Sequence, residues 1–164
     1  MILDSALLLS GSVAAATGVL TGQAANGAGN ILSTNTVDLA SLALGGNQVS
    51  DFGAGEQLLL EFSVLTAPTV GTSVQFQFIQ ADDAALTTNL QVISQTDAIA
   101  IANLPAGAIV ALGFDPTAPL APKRYIGARY VNVGAIATFS VVCAIVKNVQ
   151  GVKNIYYKSG YAVS

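Results

Sequence analysis

The side chains able to do chemistry in this chain are few, and their types exclude most catalytic designs. Its 164 residues contain no histidine and one cysteine, Cys143. Without histidine there is no Ser-His-Asp arrangement, no imidazole base and no imidazole metal ligand. A lone cysteine excludes an intrachain disulfide and a cysteine-cluster metal site, and inside "FSVVCAIV" it reads as a small buried hydrophobe. The closest acidic pair, Asp82 and Asp83, is adjacent in sequence. Such neighbours point to opposite faces of a strand, and on a turn both face water, so a solvated turn is expected in preference to a Ca²⁺ site or acid/base work. No G-x-G-x-x-G after a strand, P-loop, zinc spacing or EF-hand loop is present, and "GAGN" and "GAGE" read as turns. The reading is of a protein that is not an enzyme and that needs no metal and no cofactor.

What the charged residues do show is a sorted order. All nine acids, Asp4, Asp38, Asp51, Glu56, Glu61, Asp82, Asp83, Asp97 and Asp115, precede all six cations, Lys123, Arg124, Arg129, Lys147, Lys153 and Lys158. The five tyrosines, Tyr125, Tyr130, Tyr156, Tyr157 and Tyr161, share the cationic end. Cations interleaved with aromatics suit single-stranded nucleic acid. However, a net charge of −3 leaves a poor phosphate footprint, so nucleic acid is not an expected partner. Two readings remain. Either so few charges sort by chance or neutralise one another in space once strands from the two halves pair, or the carboxy-terminal strands offer an Arg and Tyr surface to the acidic part of a neighbouring copy or of another protein. Arg124 and Arg129 have opposite parity on a strand, so only one can anchor a flat patch unless a bulge near Gly127 brings them together. Arg129 beside Tyr130 is the expected contact residue, and Arg124 the expected salt bridge to an acid from the first two thirds of the chain.

The elements that must position these residues read as strands. "EQLLLEFSVL" (56–65) is a strand closed by the "TAP" turn. "TSVQFQFIQ" (72–80) alternates Val74, Phe76 and Phe78 against Gln75 and Gln77, the period of a strand with one buried face. "LQVISQT" (90–96), "AIVALGF" (108–114), the alternating "PKRYIGARYVNVG" (122–134) and the β-branched "IATFSVVCAIVK" (136–147) follow, with "KNIYYKSGY" as a closing strand or tail. Glycine-rich 11–30 has no sustained period and reads as extended or irregular backbone. The fold expected is all-β, a jelly roll or β-sandwich of about seven or eight strands with an extended N-terminal arm. Residues 1–50 would form the arm and a glycine-rich segment leading into the sheet, and 51–164 the sandwich core with a short tail, as one domain. A charged fraction of 9% fits a surface partly covered by other protein. No apolar run approaches the roughly 20 residues of a spanning helix, so no membrane is expected. Asp4, with no Lys or Arg near the start, disagrees with a secretory leader.

The opening "MILDSALLLSGSVAAATG", the strand and polar turn "VQFQFIQADDAALT", the "LPAG" turn, and "KRYIGARYVNVG" ahead of a long β-branched strand together resemble the capsid cement, or head decoration, proteins of short-tailed double-stranded DNA phages, a family typified by a Bordetella phage. The resemblance runs through most of the chain in order. It departs from the shorter members by a glycine-rich insertion at about 18–50 and by the tail "VQGVKNIYYKSGYAVS". It implies a non-enzymatic jelly roll in the virion, on the outer surface of the icosahedral head. Such a protein binds the major capsid protein and bridges neighbouring capsomers as a homodimer, with a trimer as the alternative. Asp4, Asp82, Asp83, Arg124, Tyr125 and Arg129 are carried over as structural or interface candidates, and the Arg and Tyr argument adds Tyr130. A recognition module of the β-sandwich class, such as a fibre head binding carbohydrate or a receptor, shares the all-β pattern, but the chain has no tryptophan for a sugar platform.

Overall fold

Alternation with one apolar face produces two antiparallel sheets packed face to face. The computed structural model describes residues 7–14, 16–39, 58–114 and 123–147. In chain order the strands are β1 (Leu8–Ser10), β2 (Ser12–Val13), β3 (Leu20–Thr21), β4 (Gln23–Ala24), β5 (Gly27–Leu32), β6 (Val37–Asp38), β7 (Leu58–Thr69), β8 (Ser73–Ala81), β9 (Gln91–Gln95), β10 (Ile99–Ala100), β11 (Ile109–Phe114), β12 (Tyr125–Ile136) and β13 (Thr138–Val146). The first sheet runs β1-β13-β7-β11, with β4 also on β13. The second runs β10-β8-β12-β5, with β9 also on β8 and β6 on β12. This is an all-β sandwich of jelly-roll type, with β2 and β3 forming a separate hairpin arm.

Each long strand turns its apolar parity inward. Phe62 and Val64 of β7 and Val141, Cys143 and Ile145 of β13 meet Val74, Phe76 and Phe78 of β8 and Ile126, Ala128 and Tyr130 of β12 in one buried cluster. At its centre Phe62 and Phe76 are 4.9 Å apart between ring centroids, and Tyr130 meets Phe62, Phe76 and Phe139 edge to face at 5.8, 5.9 and 6.2 Å. Each such pair contributes about 0.5–1.5 kcal/mol beyond the area it buries. The Tyr130 hydroxyl donates to Ser10 Oγ at 2.7 Å in this interior. Burial pushes the Tyr130 phenol and the Cys143 thiol well above their ordinary pKa values, so both stay protonated and inert.

The chain changes sheet at two stacked corners. β7 passes to β8 through residues 70–72, and β12 passes to β13 through Ala137. Thr72 N donates to Val133 O and Ala137 N to Thr69 O, each at 2.8 Å. Gly71 and Gly134 have φ of +83° and +82°, and a Cβ on Gly134 would stand 2.9 Å from the Gly71 Cα. Positive φ and backbone contact together leave room for glycine alone.

Two sequence expectations change here. Strand β7 does not stop at "TAP" but continues through a buried Pro68 to Thr69. Its register against β13 slips between Thr69↔Thr138, Thr66↔Ser140 and Val64↔Val141, and such bulges are where a strand tolerates proline. The described part of 1–50 is also not all arm. β1 and β4 pair with β13, β5 and β6 pair with β12, and Leu9, Ala25 and Leu39 are buried in the main core. Only the hairpin, β2 and β3 with their connecting turn, stands apart from the two sheets. The closing segment "KNIYYKSGY" (153–161), with Tyr156, Tyr157 and Tyr161, lies outside the described residues.

Candidate interface

The register of β12 decides what each candidate residue can do. Against β8 it is unbroken from Tyr125↔Ala81 to Val133↔Ser73, so no bulge occurs at Gly127 and Arg124 and Arg129 keep opposite parity. The inward parity carries Ile126, Ala128, Tyr130 and Asn132, all buried. Tyr130, expected at an interface, is therefore a core residue whose side chain no partner can reach in this fold. Its hydroxyl is satisfied internally, which is what lets a polar ring occupy the centre of the sandwich.

At the start of β12 the sorted charges neutralise one another. The Arg124 guanidinium grips Asp38 of β6 through Nε to Oδ1 at 2.9 Å and Nη2 to Oδ2 at 2.8 Å. This bond to Asp38 raises the Arg124 pKa, and its Cζ lies 5.0 Å from the Tyr125 ring centroid. Lys123 Nζ pairs with Asp82 Oδ1 at 2.7 Å, tying the 82–90 turn to β12. The hydrogen bond from Lys123, followed by that from Asn89 Nδ2, holds the Asp82 carboxyl below its usual range. Arg124 thus forms the expected salt bridge, and among the described residues pairing between the two halves engages two cations, Lys123 and Arg124, with two acids, Asp82 and Asp38.

Asp83 shapes its own turn. Its carboxylate accepts from Thr88 N at 2.7 Å, Thr87 N at 2.9 Å and Thr87 Oγ1 at 2.8 Å, and these bonds, the Thr88 backbone donor foremost, lower its pKa. The turn drives Leu86, with φ of +57°, down onto the outward side of the second sheet, where it is buried with Ile79 and Ala81. Its seat is Gly127, where a Cβ would collide with Leu86 Cδ1 and stand 2.9 Å from Ser33 Oγ. Asp82 and Asp83 are thereby placed in local structure, and Asp4 lies outside the described residues.

Arg129 differs from the other cations described above. It projects from the outward parity of β12, opposite Gln77 on β8 and Leu32 on β5. Its Nε donates to Gln77 Oε1. Gln77 Nε2 in turn donates to Gln95 Oε1 at 2.8 Å and Gln75 Oε1 at 3.2 Å, and Gln75 Nε2 donates to Thr96 O at 2.8 Å. The ladder was signalled only by the glutamines alternating with phenylalanines. Partial burial lowers the Arg129 pKa. Two further features escape sequence reasoning. The hairpin exposes Val13, Val19 and Leu20 at 37%, 57% and 37%, and the corner exposes Val70 and Val133 at 66% and 51%. That corner is at the opposite end of β12 from the two ion pairs.

Among the described residues no group of three or more His, Cys, Asp or Glu could hold a metal ion. Among the described residues of the first sheet Glu61 is the buried acid; it accepts from Ser63 Oγ at 3.0 Å, opposite Ala111 and Ala144 in the ladders. No curated protein sequence matches the chain. A family model described as Bbp16 matches residues 14–146, most of the chain. The protein therefore belongs to the Bbp16 family, the phage capsid cement or decoration proteins named for a Bordetella phage protein, and its role is non-enzymatic and structural, stabilising the capsid.

Proposed function

We propose that the protein sits on the outer surface of the icosahedral head, holds the major capsid protein, and pairs with a second copy of itself so that one dimer spans neighbouring capsomers. The observation that carries this reading is the β2–β3 hairpin. It stands off the sandwich, bears no charged residue between 12 and 21, and exposes Val13, Val19 and Leu20, which take no part in the buried clusters. Apolar side chains displayed on a ribbon that the fold does not use for its own core favour burial against another protein. A two-fold pair doubles such a grip, and separating two capsomers then requires breaking both attachments.

Co-sedimentation with intact and empty shells tests the proposal, using wild type and a variant with Val13, Val19 and Leu20 all replaced by serine. Wild type is expected in the shell pellet and as a dimer by sedimentation velocity. The variant is expected to keep its melting temperature and lose most shell binding. Wild type remaining in the supernatant with both kinds of shell would reject the reading.

A further inference from the structure

We infer that Arg129 is a preorganised receptor for a carboxylate side chain of the capsid shell protein, which docks against the outward face of the second sheet. The inference deepens the proposed function and rests on it. A guanidinium carries several N–H donors in a planar fork, and among the described residues its one hydrogen bond is from Nε to Gln77. Both ion pairs among the described residues are made by other cations, Lys123 with Asp82 and Arg124 with Asp38. The neighbours of Arg129 across the ladders are Gln77 and Leu32, and its neighbours of the same parity along β12 are Gly127 and Val131. None carries a negative charge.

The glutamine ladder explains why this cation is held in place rather than left to wave in solvent. Gln77 is itself buried and fixed by Gln75 and Gln95, so its carbonyl oxygen is aimed at Nε and fixes the plane of the guanidinium. Holding Nε leaves the two Nη groups as the free end of the fork, the end that receives a carboxylate through two parallel hydrogen bonds. The cost of ordering a long side chain is met within the fold before any partner arrives, and preorganisation of this kind raises affinity. Partial desolvation with no counter-charge among the described residues also leaves the cation short of electrostatic stabilisation, which an arriving carboxylate supplies. An acidic partner fits where a phosphate backbone does not, because the ladder positions facing Arg129, Gln77 and Leu32, add no second cation to form a phosphate-spaced array.

The experiment titrates wild type, R129A, R129Q and R129K against shells of the major capsid protein by co-sedimentation. It is repeated on shells whose surface carboxylates have been amidated with carbodiimide and glycinamide. R129A and R129Q are expected to weaken binding roughly 30-fold, the effect of truncating one member of a desolvated charge pair. R129K keeps the charge without the fork and is expected to fall between. Amidation is expected to weaken wild type by a similar factor and to leave R129A unchanged, since the two losses remove the same contact. R129Q keeps a hydrogen-bonding partner for Gln77 and so gives the same reading where the alanine disturbs the ladder. If wild type binds the shells and R129A and R129Q bind equally well, the carboxylate receptor is overturned while the cement reading stands. If amidation weakens R129A as much as wild type, the receptor is also overturned. If wild type itself fails to bind, both fall.

Discussion

Removing the Tyr130 hydroxyl tests whether the amino-terminal strand is stitched into the sandwich. Tyr130 and Ser10 are both fully buried and share a hydrogen bond of 2.7 Å between β12 and β1, strands 120 residues apart in sequence. Water cannot replace a partner there. Y130F or S10A therefore forfeits a bond with a net value of about 1 kcal/mol and leaves the opposite oxygen unpaired at a cost of about 1–3 kcal/mol. Each variant is expected to lose about 1–3 kcal/mol. For a chain of this length each 1 kcal/mol lowers the melting temperature by about 2–4 °C. The double variant removes both partners at once and is expected to be no less stable than the worse single variant, a coupling of about 1 kcal/mol or more. Urea and thermal unfolding of the four proteins give the cycle. Additivity within about 0.3 kcal/mol, or a Y130F protein as stable as wild type, would show that the bond does not anchor β1.

Two further outcomes follow from the 82–90 turn. G127A places a methyl group against the buried Leu86 and Ser33 Oγ and is expected to cost about 1–3 kcal/mol in thermal unfolding, partly recovered in the G127A/L86A double variant. An unchanged melt for G127A would contradict the seating of Leu86. The Asp83 carboxyl has its pKa lowered in the fold, so its contribution is present above the unfolded value of 3.8 and is lost as pH falls through the lowered folded value. D83N, which cannot titrate, is expected to show a shallower loss of melting temperature on the acid side than wild type, and identical acid limbs would refute the assignment.

Much of this molecule was legible because burial on one face of a strand leaves a period-two trace. Val74, Phe76 and Phe78 placed β8, "AIVALGF" placed β11, and the β-branched run placed β13. The parity of β12 was legible too, yet its inward side was not, because that side carries Ala128, Asn132 and a hydroxylated ring instead of a plain apolar row. Only packing reveals that Tyr130 has Ser10 as its partner. β1 and β4 are too short to show any period and take their positions from the edge of β13. The Arg124 salt bridge was foreseen from charge order, whereas Arg129's support came from glutamines whose mutual hydrogen bonds depend on the register of three strands. The sorted acids and cations that first pointed to an interface were in part an internal matter, settled when Asp38 and Asp82 met the start of β12.

A reconstruction of the assembled head at side-chain resolution would show the bridge itself. This chain is expected outside the shell as two-fold pairs across capsomer boundaries, with the 12–21 hairpin buried against capsid protein. Copies bound as isolated monomers within one capsomer, copies inside the shell, or hairpins pointing into solvent would contradict it.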